Sequence, residues 1–460
     1  MIQILILYFI ASSNAKLAAV WLLERHGDRT PMIQLPDVEP LTNFGELTEI
    51  GMKQLQKIGD FVRTEYIKQN EWPLEYSPKK YYFYATYMDR AKISQLSFAH
   101  GLFTNSSGPK EENGTYIFDD GLQPIPIHSV LEHNEYLLLA GLKCRRALDE
   151  IYKIQESSIL ENFMKKNKET IEKLFKLTGL KAEGYQIAEL VDAVRYQRFH
   201  NLPLPKGMTE DDLREFTSLY NGLTSLYTPI GNRNYCEASS GYFMAKLIKE
   251  MKEVISSESR NPPDSHMLLS HFACHDSSLR FLIGCLGLEM AQNPSYGAIA
   301  AFELHINNER EQVHHRDSAD ERERGRDRER ERERDIYNPR ENSSVSKSAA
   351  SNVFVRIRTD FNIDNDPKRL NLTSFVPNHC PSNEEFCPFE TFISPWKDLL
   401  NQPDDSHWFN EVCGMNVSGN NTPLIAATVS LAAAFAVASI FLVILMVLNF
   451  KGAKKEQQRK

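Results

Sequence analysis

The chain has no excess of basic charge: 53 Lys and Arg stand against 61 Asp and Glu in 460 residues, a formal net charge of −8. That excludes a broad nucleic-acid footprint. Its histidines lack carboxylate or thiolate companions at metal-site spacing, so no metal is expected. Cysteine is scarce, with seven in all, and long apolar runs are confined to the two ends. Residues 316–335 hold eight Arg and nine acidic residues but almost no apolar side chain. The stretch 308–350 around them is therefore predicted to be a disordered, charged insertion.

The two apolar ends predict a route and an anchor. MIQILILYFIA at 1–11 lacks a charged n-region but is followed by SSNA, with Ser13 and Ala15 small enough for cleavage. Residues 1–15 thus resemble a signal peptide that leaves Lys16 first. Leu424 to Phe450 is an uncharged run of 27 residues. At a rise of about 1.5 Å per residue it exceeds a hydrocarbon core of roughly 30 Å. KGAKKEQQRK at 451–460 reads as its cytoplasmic tail. A single-pass type I membrane protein is expected, its folded part extracellular or lumenal, at the plasma membrane or in the lysosome. Glycosylation acceptors at Asn105, Asn113, Asn342, Asn371, Asn416 and Asn420 suit that compartment. So would disulfides, although the sequence does not choose their partners.

Between the ends, strand and helix patterns alternate and then change. LAAVWLLE at 17–24 reads as a buried strand that stops at the charged cluster from Glu24 to Arg29. Leu47, Ile50, Leu55, Ile58 and Val62 follow a helical period within 47–66. Tyr81–Ala85 reads as a strand, a helix begins near Met88, and Met267–Ser270 is a further core strand before a helix from Leu279 to Leu288. From 145 to 255 the pattern is mainly helical, with Gly179 as a stop and Thr209 as a cap. The expected architecture is α/β. A large domain, 16–144 and 256–415, has a central, mostly parallel sheet flanked by helices, and 145–255 forms a smaller helical domain.

Chemistry concentrates in two segments. WLLERHGDRTP at 21–31 sets Arg25, His26 and Arg29 directly behind a strand. Strand ends of an α/β sheet form a mouth for ligands, and guanidinium groups suit phosphoryl oxygens. Two arginines beside a neutral imidazole would neutralise a phosphoryl group and aim its phosphorus at a nitrogen nucleophile. LSHFACHDSSL at 269–279 supplies His275 as a donor and Asp276 as a proton source for a departing alkoxide.

These segments, in this order, resemble the marks of the histidine acid phosphatase family: Arg-His-Gly-x-Arg-x-Pro and a distal His-Asp. The similarity extends over about residues 17–307 and 352–415, including LTEIGMKQL at 47–55, PIPIHSV at 124–130 and HNLPLP at 200–205. It implies His26 as the nucleophile of a phosphohistidine intermediate and Asp276 as proton donor. Arg25, Arg29 and His275 would bind the substrate phosphate. It further implies hydrolysis of phosphate monoesters without a cofactor, disulfides Cys380–Cys387 and Cys144–Cys413, and homodimerisation as the family's common assembly. Cys236, Cys274 and Cys285 stay unassigned, Cys274 being read as a buried passenger. The family's other cysteine pair is absent, with no cysteine near Gln197 or Ile299.

One position departs from the family. In YATYMDR, 84–90, Tyr84 occupies the place of a third phosphate-binding arginine, and Arg90 matches a later, structural one. Lys79 or Lys80 would have to reach in to compensate. The competing expectation is a weak or inactive phosphatase-like ectodomain that binds an anionic ligand or partner. An intracellular phosphoryl-transfer enzyme conflicts with the signal sequence, the acceptors and the terminal helix.

Overall fold

The first strand, β1 (Lys16–Arg25), is apolar from Leu17 to Leu23 and becomes a central element of a seven-stranded sheet. The computed structural model describes residues 15–36, 38, 43–103, 107–118, 121–184, 186–260, 265–290, 292–307, 352–362, 370–381, 384–400 and 408–415. The expected signal peptide, the insertion at 308–350, the membrane helix at 424–450 and the tail lie outside these, apart from Ala15. Among the described residues, no helix is long and apolar enough to cross a membrane. Chain positions up to Gln402 form one unit and those from Pro403 a second. The second contributes a short helical turn, Trp408–Val412.

After β1 come α1 (Glu49–Val62), β2 (Tyr81–Ala85) and α2 (Asp89–Leu102). Thr48 caps α1 by accepting from the Gly51 amide, which satisfies an otherwise orphaned donor. Six helices follow: α3 (Arg145–Gln155), α4 (Ser158–Lys166), α5 (Lys168–Thr178), α6 (Gln186–Phe199), α7 (Glu210–Ser225) and α8 (Arg233–Glu258). Gly179 ends α5 at φ +70°, where a side chain would be strained. Thr209 and Asp212 form a capping box at the start of α7. The chain then adds β3 (Leu269–Cys274), α9 (Asp276–Cys285), β4 (Ile299–Ile306), β5 (Val353–Asp360), β6 (Thr373–Phe375) and β7 (Phe386–Pro388).

The strand order is β2-β3-β1-β4-β5-β6, with β7 sharing the β6 edge of β5. Only β1–β3 and β2–β3 are parallel, whereas β1–β4, β4–β5, β5–β6 and β5–β7 are antiparallel. The sheet is therefore mixed, not mostly parallel. The strand-helix alternation visible in the first half generates the parallel part, because parallel neighbours need crossovers. The later strands were not apparent from that alternation. β3 also runs further than the Met267–Ser270 expectation, through His271 to Cys274. His271 is buried there against Glu24 at 2.7 Å and stacked on Phe98.

Among the described residues, the larger apolar clusters of the first unit lie on the two sheet faces and among the helices. Leu55, Ile58, Val62, Phe98 and Leu102 from α1 and α2 cover one sheet face. Phe243, Leu247 and Met251 from α8, with Leu279 and Ile283 from α9, cover the other. Leu160, Leu174, Leu190, Phe216 and Leu223 form a separate core among α4 to α7. Fully burying each such side chain contributes about 1.5–3 kcal/mol. Disulfides join Cys236 to Cys285, across α8 and α9, and Cys380 to Cys387. The first pair was unassigned from sequence. Cys274 is buried and unpaired, and burial pushes its thiol up. The Cys144–Cys413 bridge implied by the resemblance would join residues of different units.

Candidate active site

β1, β2 and β3 run parallel, so their C-terminal ends share one edge of the sheet. Arg25 ends β1, His26 follows it, and His275 follows β3 as the N-cap of α9. Asp276 opens that helix. Gly27 is required by close approach: a Cβ there would lie 2.5 Å from the Gly51 carbonyl oxygen at the start of α1. Asp28 then ties the turn down, accepting from Thr48 and pairing with His200 at 2.8 Å.

A cavity of about 300 Å³ opens at this edge, and Arg25, His26, Arg29, Arg90, His275 and Asp276 all line it. The five residues expected from sequence are thus brought together, and Arg90 joins them. The His26 Nδ1 lies 2.8 Å from the Gly27 carbonyl. A carbonyl only accepts, so Nδ1 carries the proton and Nε2 keeps its lone pair. Burial, followed by Arg90, His275, Arg25 and Arg29, lowers the His26 pKa well below the ordinary value. The imidazole is neutral. His275 is also neutral, its pKa lowered by burial and then by Arg90. Its Nε2 lies 2.9 Å from the Thr86 hydroxyl.

Arg25 is buried, donates to the Pro294 carbonyl at 2.5 Å and lies 4.2 Å above the Tyr296 ring. It is 3.7 Å from Asp276. Arg29 pairs with Asp192 of α6 at 3.1 Å. Burial alone would raise the Asp276 carboxyl, but Arg25, Arg280, the Asn293 amide and Arg29 hold it well below the carboxylate range. Asn293 fixes its direction: Nδ2 donates to Asp276 at 2.6 Å and to the Tyr220 oxygen at 2.7 Å, while Oδ1 accepts from Arg280 at 2.7 Å.

The expected weak point is arranged differently. Tyr84 does not line the cavity; its hydroxyl donates to Glu135 at 2.8 Å and its ring packs with Phe272 on a sheet face. Strand alternation turns it to that face. Lys79 and Lys80 precede β2, at the opposite edge from His26, and do not line the cavity either. Arg90, expected to be structural, instead donates from Nε to His26 Nε2 at 3.2 Å. It sits in the first turn of α2, and burial followed by Arg29 lowers its pKa to about 10. Sequence reasoning also missed Thr86, Asn293 and Tyr296. No local pattern marks Asn293 and Tyr296, whereas Arg90 carried one signal, its place beside the empty arginine position.

The chain is similar to known proteins in both sequence and fold. The family model for the histidine phosphatase superfamily, branch 2, matches residues 38–317. That match begins after the Arg25–Pro31 segment and so does not depend on it. Prostatic acid phosphatase of Homo sapiens is 28% identical over 306 residues, covering 63% of this chain and 74% of that protein. Lysosomal acid phosphatase of Xenopus laevis is 26% identical, covering 64% and 67%. In structure, the chain is similar to Hafnia alvei phytase in complex with myo-inositol hexakis sulphate. The TM-score is 0.56 at 14% identity, covering 87% of this chain and 99% of that one. The chain belongs to the histidine phosphatase superfamily, branch 2.

Proposed function

We propose that the chain is an acid phosphatase that hydrolyses phosphate monoesters through a phosphohistidine on His26. One observation carries this reading: a neutral imidazole whose Nδ1 proton is held by the Gly27 carbonyl, and whose Nε2 lone pair accepts from Arg90 at the wall of a cavity that Arg25 and Arg29 also line. Binding alone would not require so prepared a nucleophile. Arg90 takes the part of the third phosphate cation, releasing His26 as the phosphoryl group arrives.

In the first step His26 Nε2 bonds to phosphorus and the ester P–O bond breaks. Asp276 gives the departing alkoxide its proton. In the second, water attacks phosphorus, Asp276 takes a proton from that water, the P–N bond breaks and phosphate leaves. The carboxyl held ionised in the free site gains its proton once a phosphoryl anion offsets the arginines. The monoanionic ester, whose last proton has a pKa near 6, brings that proton with it. Turnover is thus expected to fall as pH rises through about 6. The names of the relatives, prostatic and lysosomal, support a lumenal or extracellular site of action. The terminal segments 1–15 and 424–450 support delivery and a single-pass anchor.

The test is phosphate release by the full-length chain, made in a secretory cell, from p-nitrophenyl phosphate and an alkyl phosphate between pH 4 and 8. His26→Ala should lose roughly 10⁴-fold or more, the scale for removing an acting nucleophile. A folded wild-type protein no faster than His26→Ala would sink the enzyme reading and favour an anion-binding ectodomain.

A further inference from the structure

The cavity has two unlike ends. Beyond the arginines and histidines its wall is apolar: Met32, Met88, Leu139, Leu142, Ile151 and Phe281. Met32 and Leu142 are 46% and 47% exposed, which sets them at the lip, while Leu139 is buried. The polar residues there, Tyr227 and Gln155, are both uncharged.

The charges decide what can sit there. Besides the three arginines around His26, the lining holds one more cation, Arg280. It is buried, donates to Asn293 and lies beside Asp276. Among the described residues no lysine lines the cavity, and the remaining charged residue is Glu189, an acid. A leaving alcohol that carried a second phosphate along this wall would meet apolar carbon and a carboxyl, whereas the further arginines, Arg195 and Arg198, line a different cavity that shares Arg25. An apolar alcohol would be covered on several sides.

Resting on the phosphatase reading, we propose that this wall makes the site selective for monoesters of apolar alcohols, aryl or alkyl, over esters whose alcohol carries further phosphates. Met32, Leu139 and Leu142 are its specificity-determining residues.

The experiment measures kcat/KM of the full-length chain for ethyl, butyl and octyl phosphate, below their micelle concentrations, and for myo-inositol hexakisphosphate. Each methylene covered by the wall should raise kcat/KM about threefold to fourfold until the wall is filled. Octyl phosphate should exceed ethyl and the hexakisphosphate at least tenfold. Leu142→Lys and, as a second variant, Met32→Lys should each move the octyl-to-hexakisphosphate ratio about tenfold towards the polyanion. Release without dependence on chain length, or a wild-type preference for the hexakisphosphate, overturns the selectivity while leaving the phosphatase reading intact. No release from any ester overturns both.

Discussion

Two groups of charge among the described residues of the first unit can be set side by side, that around Glu303 and that around His26, the latter lining a cavity. On β4 and β5, Glu303 accepts from Tyr66 at 2.7 Å and from Arg356 at 2.6 Å, with His305 at 3.0 Å and Arg358 at 3.3 Å. Arg358 reaches Glu65 as well, at 2.7 Å. At the sheet edge, Arg25, Arg29, Arg90 and Arg280 share far less negative charge, and Asp276 and Asp192 are its nearest sources. Arg25 and Arg29 are raised by nearby acid and phenol groups, as Arg358 is, so the difference is carried by Arg90. Burial lowers both Arg358 and Arg90, but Tyr66, Glu65 and Glu303 more than restore Arg358, whose pKa is raised. Arg90 stays lowered, to about 10, with Arg29 adding to the burial. A network that satisfies itself supports the fold, and a surplus of cation beside an opening stores affinity for an anion.

The sharpest way to test the contrast is Arg90→Ala. Removing a charged donor from the transition state should cost about 10²–10³ in kcat/KM. Arg90 also lowers the His26 pKa, so its loss should let His26 protonate at a higher pH. The acidic limb of the rate profile should then move upwards, a shift that a purely structural role for Arg90 would not produce.

Glu303→Gln should act on the fold and leave KM unchanged. Burial alone would raise this carboxyl, but the His305, Arg356 and Tyr66 contacts lower its pKa to about 2. The folded value lies below the unfolded one of about 4.3, so the stabilisation is complete above pH 4.3 and is lost as pH falls through about 2. That contribution is about 3 kcal/mol. Chemical denaturation at pH 6 should show a loss of that order in the variant, and the acid dependence between pH 4 and 2 should weaken. An equal loss at pH 6 and pH 2 would contradict the assignment.

Tyr84→Phe should have the smallest effect. It removes one buried hydrogen bond, worth about 1 kcal/mol, and leaves Glu135 short of a donor. A small fall in melting temperature with unchanged kcat/KM is expected. A large change in turnover would return Tyr84 to the site.

Elements written in local pattern were legible in the chain. β2 spans Tyr81–Ala85 as the aromatic run predicts, and α1, Gly179 and the Thr209 cap stand where periodicity and capping chemistry set them. Arg25, His26, Arg29, His275 and Asp276 could be named because each sits at a strand end beside chemically compatible neighbours. The antiparallel half of the sheet was not legible, since strand direction depends on partners distant in sequence. The same is true of the Cys236–Cys285 pair, 49 residues apart.

What the sequence determined alone was therefore the kind of chemistry: a histidine, its arginines and an acid carried on two short segments. Tertiary structure decided which groups meet. It turned Tyr84 to Glu135, brought Arg90 to His26 and set Asn293 against Asp276. Side-chain direction follows from the face a strand buries and the helix turn that meets the sheet edge. Those choices are settled by packing across the whole unit, not by neighbours along the chain.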